Sequence, residues 1–312
     1  MFFRKIGIWL LFFVFVASCF LIWFGAQKYN QKKDFLKPNE VIQEGGSEET
    51  KTGEGFTEKI ATEPTVLTRK KRFEEAISKT IEGVEEKYGL YIKDLNSDYK
   101  FSFGGDQVFY AASLIKIPII LEFYRQRGAG NITPETAIEI IDADFQEGES
   151  FPEVGKIYLA RELARIMIKE SNNTAAAALA RTLGWSNIVA LKEILRASNT
   201  NLTDNTSTAS DMGKFLEAFF DPQVVRPELL DEVIELMHKT YFEDLIPYPL
   251  PEEIKVSHKV GIFEGIYSDA GIVFGKKSKY ILVIMDEDVS QIEARDLIRK
   301  ISEITFNYFE NN

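Results

Sequence analysis

Apolar positions along this chain follow three different rhythms. Residues 6–26 read IGIWLLFFVFVASCFLIWFGA, an unbroken, charge-free run about as long as the roughly 20 residues that cross a bilayer as a helix. From residue 27 to about 72 all periodicity is lost. That segment is polar, mixed in charge and centred on GGSEETKTGEG, the composition of a flexible tether. Regular periods begin beyond it. Phe73, Ala76, Ile77, Ile81 and Val84 recur at helical spacing, which predicts a helix over 73–88 stopped by Gly89. Residues 90–92 and 99–103 flank a turn-rich DLNSD and predict a hairpin. An apolar helix should then run to Arg127, with Gly128 and Gly130 as stops.

Helical periods return over 159–169, 174–183, 188–195, 209–220 and 227–241. Strand-like segments cover 255–261, 268–274 and 280–285, and a last helix spans 289–308. Strands confined to the two ends of a folded region, with helices between, describe an α+β domain. The end pieces should join in one antiparallel sheet. The terminal helices should cover one face and the helical block the other. The chain thus divides into a membrane-spanning signal anchor (1–26), a linker (27–72) and one folded domain (73–312).

Charge and composition remove several function classes. The formal net charge of -11 opposes a nucleic-acid partner, which favours a basic face. A single cysteine and two histidines allow neither an internal disulfide nor the usual zinc site. No D-x-[DN]-x-[DN]-G calcium loop is present.

Arg4 and Lys5 precede the apolar run, and Lys28, Lys32 and Lys33 follow it, so flanking charge does not set its orientation. Three readings stay open: a signal anchor, a lipoprotein acylated at Cys19 of a lipobox-like Val16-Ala17-Ser18-Cys19, and a cleaved secretory signal. The apolar residues that continue past Cys19 favour the anchor. All three place the folded domain outside the cytoplasm.

Chemistry enters at YAASLIKIPII, residues 110–120. Burying Lys116 in such company costs free energy without compensation. On a helix, Ser113 and Lys116 share one face, a turn apart. A desolvated lysine loses its proton more easily, and a neutral amine beside a hydroxyl is a general base beside a nucleophile. The segment alone equally suits a capping serine and a snorkelling lysine. The same spacing at Ser97 and Lys100 lies in a polar hairpin with nothing to desolvate the lysine. Ser171-Asn172-Asn173 alone reads as an ordinary helix cap, and His258-Lys259-Val260-Gly261 as a plain edge strand.

Taken in order, Ser113-x-x-Lys116, Ser171-x-Asn173 and Lys259-x-Gly261 resemble the S-x-x-K, S-D-N and K-T-G triplet of class A β-lactamases and penicillin-binding proteins. ESNNTA and DNTSTASDM (204–212) extend the resemblance, which spans roughly residues 73–310. It implies a β-lactamase/transpeptidase-like α+β fold with an all-helical subdomain, and an acyl-enzyme hydrolase of β-lactams or D-Ala-D-Ala-type cell-wall peptides. Ser113 would attack the carbonyl, Lys116 would act as base, and Ser171 would relay the proton to the leaving nitrogen. Asn173 would hold the substrate's side-chain amide. Lys259 would attract its carboxylate and depress the pKa of Lys116. Gly261 would complete the substrate-binding strand, and the N–H groups of Ser113 and Ile262 would form an oxyanion hole. The same resemblance implies no metal or organic cofactor and a monomer; joined to the apolar run at 6–26, it gives a bacterial membrane protein with its catalytic domain outside.

Three departures accompany the match. Asn172 stands for the motif's Asp, a structural position. Val260 replaces a hydroxyl residue, which should remove one substrate hydrogen bond worth about 1 kcal/mol. The third departure is the largest. Residues 196–208, RASNTNLTDNTST, replace a longer loop that in class A enzymes carries a deacylating Glu. The only carboxylate here is Asp204, so deacylation should be slow unless Glu147, Glu149 or Glu153 substitutes. A non-catalytic module binding peptidoglycan or a partner stays open as an alternative. A Ser-His-Asp hydrolase does not fit: no G-x-S-x-G is present, and His238 and His258 read as helix-surface and strand residues.

Overall fold

A computed structural model describes residues 63–311. The apolar run at 6–26, Cys19 and most of the segment read as a tether lie outside the described residues. Among the described residues, no helix is long and apolar enough to cross a membrane.

The first helix, α1 (Glu63–Thr80), begins ahead of the predicted 73 and ends ahead of 88. Gly83 adopts φ +85 and turns the chain, and Tyr88 already belongs to strand β1 (Tyr88–Asp94). The predicted stop, Gly89, is a strand residue instead. A Cβ there would lie 2.6 Å from the Phe109 ring, so close packing rather than helix termination accounts for the glycine. The predicted hairpin forms between β1 and β2 (Lys100–Phe103).

Strands β7 (Lys255–Phe263), β8 (Ile266–Phe274) and β9 (Lys279–Asp286) come from the other end of the chain. Together they make one five-stranded sheet in the order β2-β1-β9-β8-β7. The β1–β9 ladder, from Tyr88↔Asp286 to Asp94↔Tyr280, joins the two ends antiparallel, as expected. Successive side chains of a strand face opposite sides, and both sides are buried here. Leu90, Ile92, Leu282 and Ile284 pack with Phe73 and Ile77 of α1 and with Ile298 and Ile301 of the last helix, α8 (Gln291–Glu310). Tyr91, Ile281, Val283 and Met285 face the helical block. Two covered faces explain why YILVIMD reads as a continuous apolar run rather than an alternation.

The block contains α2 (Lys116–Ala129), α3 (Ala160–Lys169), α4 (Asn173–Leu183), α5 (Trp185–Ile194), α6 (Ala209–Glu217) and α7 (Pro227–Met237). Helix α2 is buried nearly all round, from Ile117 to Tyr124, which fits a helix apolar on every face. It ends at Gly130 in the left-handed conformation (φ 77) that glycine tolerates best. Helix α6 lies against β1 so closely that a Cβ on Gly213 would come within 2.4 Å of the Tyr91 ring. Two short ribbons complete the fold: β3 (Phe109–Tyr110) with β6 (Thr206–Ser207), and β4 (Ala137–Glu139) with β5 (Ile157–Leu159).

Candidate active site

The site is built where β3 hands over to α2. Between them a single 3-10 turn, Ala112–Ile115, carries Ser113. Ser113 therefore precedes α2 rather than sitting in its first turn. In a 3-10 turn, residues i and i+3 eclipse, which lines up Ser113 with Lys116, the first residue of α2. Leu114 and Ile117 are fully buried and anchor the turn from below. Ala112 sits at φ 47 and Ser171, between α3 and α4, at φ 59. Left-handed conformations are uncommon outside glycine, and such strain collects at functional sites.

Lys116 is 2% exposed. Its Nζ lies 2.9 Å from Ser113 Oγ. It also donates to Ser171 O at 2.6 Å, Asn173 Oδ1 at 2.6 Å and Ser171 Oγ at 3.2 Å. The two carbonyl oxygens can take both N–H bonds of a neutral amine and leave its lone pair facing the Ser113 hydroxyl. From the sheet side, the buried Lys259 donates to Ser171 Oγ and Val260 O, each at 2.9 Å, and lies 5.8 Å from the centre of the Phe242 ring. Ser113, Lys116, Ser171, Asn173 and Lys259, scattered over 147 positions of sequence, thus form one connected cluster.

Burial moves both amines toward the neutral form. It lowers the Lys116 pKa to about 8, against a smaller upward pull from Glu149. Lys259 is held well below the ordinary lysine value by burial first and then by the charge of Lys116. Two cations sharing one hydroxyl repel each other, so the pair holds one proton more readily than two.

The remaining predicted residues are also placed. A Cβ on Gly261 would be 2.8 Å from Ala111 O and 3.0 Å from Leu114 Cγ, so the absence of a side chain lets β7 approach the Ser113 turn. Ile262 follows it, 42% exposed, on the wall of the cleft. Val260 is buried in the core on the α1/α8 face of the sheet and is not a cleft-lining residue. Asn172 is structural, as expected: its Oδ1 accepts from Ala175 N at 2.7 Å and its Nδ2 donates to Phe151 O at 2.7 Å. Asp204 is exposed and accepts from Asn201 Nδ2 at 2.7 Å. Among the three loop glutamates, Glu149 stands beside the site, but both its oxygens are taken, by Asn173 N at 2.7 Å and Thr174 N at 2.8 Å.

Two features were not read from the sequence. The cleft, about 400 Å³, is lined by Ser113, Lys116 and Asn173 and also by Tyr110, Gln146, Trp185, Asn205 and Phe263. These come from five separate segments with no shared motif. The second feature is His258. It is fully buried rather than a plain strand residue, with Nδ1 2.9 Å from Asp269 Oδ1 and Nε2 3.1 Å from Glu243 Oε1. Burial alone would depress its pKa, but the two carboxylates outweigh burial and push it up to about 9. Only the β7–β8 register reveals this pairing, since it puts Asp269 opposite Val260 on the face that His258 shares. His238, read as a helix-surface residue, instead follows the end of α7, where its Nδ1 lies 3.0 Å from Val256 O. Among the described residues, no group of three or more His, Cys, Asp or Glu is arranged to hold a metal ion.

The sequence profile of the beta-lactamase enzyme family matches residues 72–309. No curated protein matches the chain. Among solved structures, PBP-A superposes with a TM-score of 0.71 at 25% identity, over 77% of this chain and 97% of that one. A mutant of PBP-A, described as an acyl-enzyme complex with penicillin G, gives 0.70 at 24% identity, over 79% and 98%. A beta-lactamase from Sphaerobacter thermophilus DSM 20745 gives 0.68 at 20% identity, over 76% and 95%. With the family profile covering the whole sheet and helical block, and solved structures of the same fold covered almost end to end, the chain belongs to the beta-lactamase enzyme family and has the serine β-lactamase/penicillin-binding-protein fold.

Proposed function

We propose that this protein is an active-site-serine hydrolase that is acylated by β-lactams, or by D-Ala-D-Ala-type cell-wall peptides, and releases the acyl group slowly. The observation that carries the reading is the 2.9 Å approach of Lys116 Nζ to Ser113 Oγ in a buried setting. Lys116 takes the Ser113 proton as the Oγ–carbonyl bond forms. The tetrahedral intermediate collapses with cleavage of the carbonyl C–N bond. The leaving nitrogen receives a proton through Ser171 Oγ, which lies within reach of both lysine amines. Asn173 holds the acyl donor's amide, and Lys259, beside Gly261, attracts its carboxylate. With Val260 turned into the core, that task rests on Lys259 without a neighbouring hydroxyl. Backbone N–H groups of Ser113 and Ile262 receive the oxyanion, the largest contribution in most acyl transfers.

Slow release follows from the 196–208 loop. It contains no Glu, and Glu149 already serves two backbone N–H groups. Losing a positioned base costs roughly 10²–10⁴ in rate. The penicillin G acyl-enzyme of the PBP-A mutant supports penicillin as a probe. Residues 6–26 anchor the chain in the bacterial cell membrane, with the 27–72 segment as linker and the catalytic domain outside. A lipid on Cys19 is the competing anchor, distinguished by mass.

Full-length protein incubated with penicillin G should gain one adduct at Ser113 in its intact mass, lost in Ser113→Ala, and the adduct should decay over many minutes. An adduct retained in Ser113→Ala, or none in the parent, would refute the reading. Rapid nitrocefin turnover would refute slow release alone.

A further inference from the structure

We propose that the cleft contains an arm built for an uncharged, apolar or aromatic side chain of the acyl donor, walled by Ile119, Ala176, Ala177 and Trp185. The proposal rests on Ser113 being the acylated residue. Asn173, the residue assigned to the donor's amide, is the first residue of α4. Ala176 and Ala177 follow it by three and four positions, which continues the same helix face by one turn. A donor side chain that continues from its amide along α4 would meet these two methyl groups, both of which line the cavity. Ile119 stands in the same relation to Lys116 on α2, three positions on, and is 2% exposed.

Trp185, the first residue of α5, belongs to the same lining. Gly184 before it, at φ +84, makes the turn between α4 and α5. The indole lines the cavity yet remains 48% exposed. A half-covered indole offers a large apolar contact at small entropic cost. The cavity, at about 400 Å³, falls in the range of sites for small organic ligands.

Charge decides what kind of side chain fits. Among the described residues lining the cavity, Lys116 is the one Lys, Arg, Asp or Glu, and as the base it acts in its neutral form. Its amine is already engaged by Ser113, Ser171 and Asn173. Gln146 and Asn205 add neutral amides. A carboxylate or ammonium in the arm would lose water and meet no counter-ion.

Three penams that share one ring nucleus test this, carrying a phenylacetyl, an acetyl or an α-carboxyphenylacetyl arm. The rate of Ser113 adduct formation on full-length protein is followed by intact mass. The phenylacetyl compound should acylate roughly tenfold or more faster than the acetyl one, and the carboxylated arm should fall behind it. Trp185→Ala should bring the phenylacetyl-to-acetyl ratio close to one. Ala177→Lys should raise the carboxylated compound relative to the phenylacetyl one. Equal rates for phenylacetyl and acetyl arms in the parent, or ratios unmoved in both variants, would overturn the arm and leave Ser113 standing. No adduct with any of the three would overturn the Ser113 reading, and the arm with it.

Discussion

Lys116 works at the site because burial and its partners set its proton affinity, rather than through any property of the side chain alone. With its pKa lowered to about 8, the ammonium that dominates at low pH must lose a proton before Ser113 can be activated. The acylation rate should therefore climb from pH 6 to a plateau above about 8. A flat profile over pH 6–9 would show that another group is the base. Lys116→Ala should lose roughly 10²–10⁴ of the acylation rate, measured by adduct formation under single-turnover conditions. Gly261 makes a steric prediction. Its Cβ in Gly261→Ala would meet Ala111 O at 2.8 Å, so β7 or the Ser113 turn must shift. The expected cost is about 1–3 kcal/mol of stability, read from urea unfolding, together with slower acylation. An Ala variant with parental values for both would show that the strand has room to move.

At the scale of elements, the site is a junction of ends: the start of α2, the start of α4 and the middle of the edge strand β7. Glu149 ties the loop between β4 and β5 to the α4 N-terminus through two backbone N–H bonds. A carboxylate there is favoured by the helix dipole. Glu149→Gln should destabilise the domain by about 0.5–1.5 kcal/mol. It should also shift the acylation pH profile to lower pH, because Glu149 holds the Lys116 pKa up. A shift in the other direction, or none, would disconnect the loop from the base. Most elements were legible in the sequence because helical and alternating periods are local signals. The first helix starts ahead of the predicted 73, and it stops ahead of 88 because Gly83 rather than Gly89 turns the chain. The role of Gly89 is not legible locally, because its reason, the Phe109 ring, is distant in sequence.

For the whole molecule, the loop between α7 and β7 secures the edge strand that carries Lys259. Glu243 reaches His258, Ile246 N donates to Asp269 Oδ2 at 3.0 Å, and Ser302 Oγ of α8 donates to Ile246 O at 2.8 Å. His258 titrates near 9 when folded against about 6.5 unfolded. A pKa raised by folding adds stability that is fully present below about 6.5 and is lost as pH rises through 9. His258→Asn should therefore lower Tm clearly at pH 6 and much less at pH 10. Equal losses at both values would mean that the imidazole contributes by packing rather than by charge.

The spacing within each motif and the periodicity of the elements were determined by the sequence itself, because each depends on residues a few positions apart. That information was enough for the α+β class and the sheet drawn from both chain ends, whereas the five residues that meet at the site came from the resemblance of the three motifs, taken in order, to a known family. Tertiary structure decided which side chains share a space. The wall of Trp185, Ala176 and Ile119, the engagement of Glu149, the turn of Val260 into the far core and the clasp around His258 each join segments distant in sequence. Such contacts follow from strand register and helix placement. The proton affinities of Lys116 and Lys259 follow from the same source, since burial and the charge of a neighbour exist only once the chain has folded.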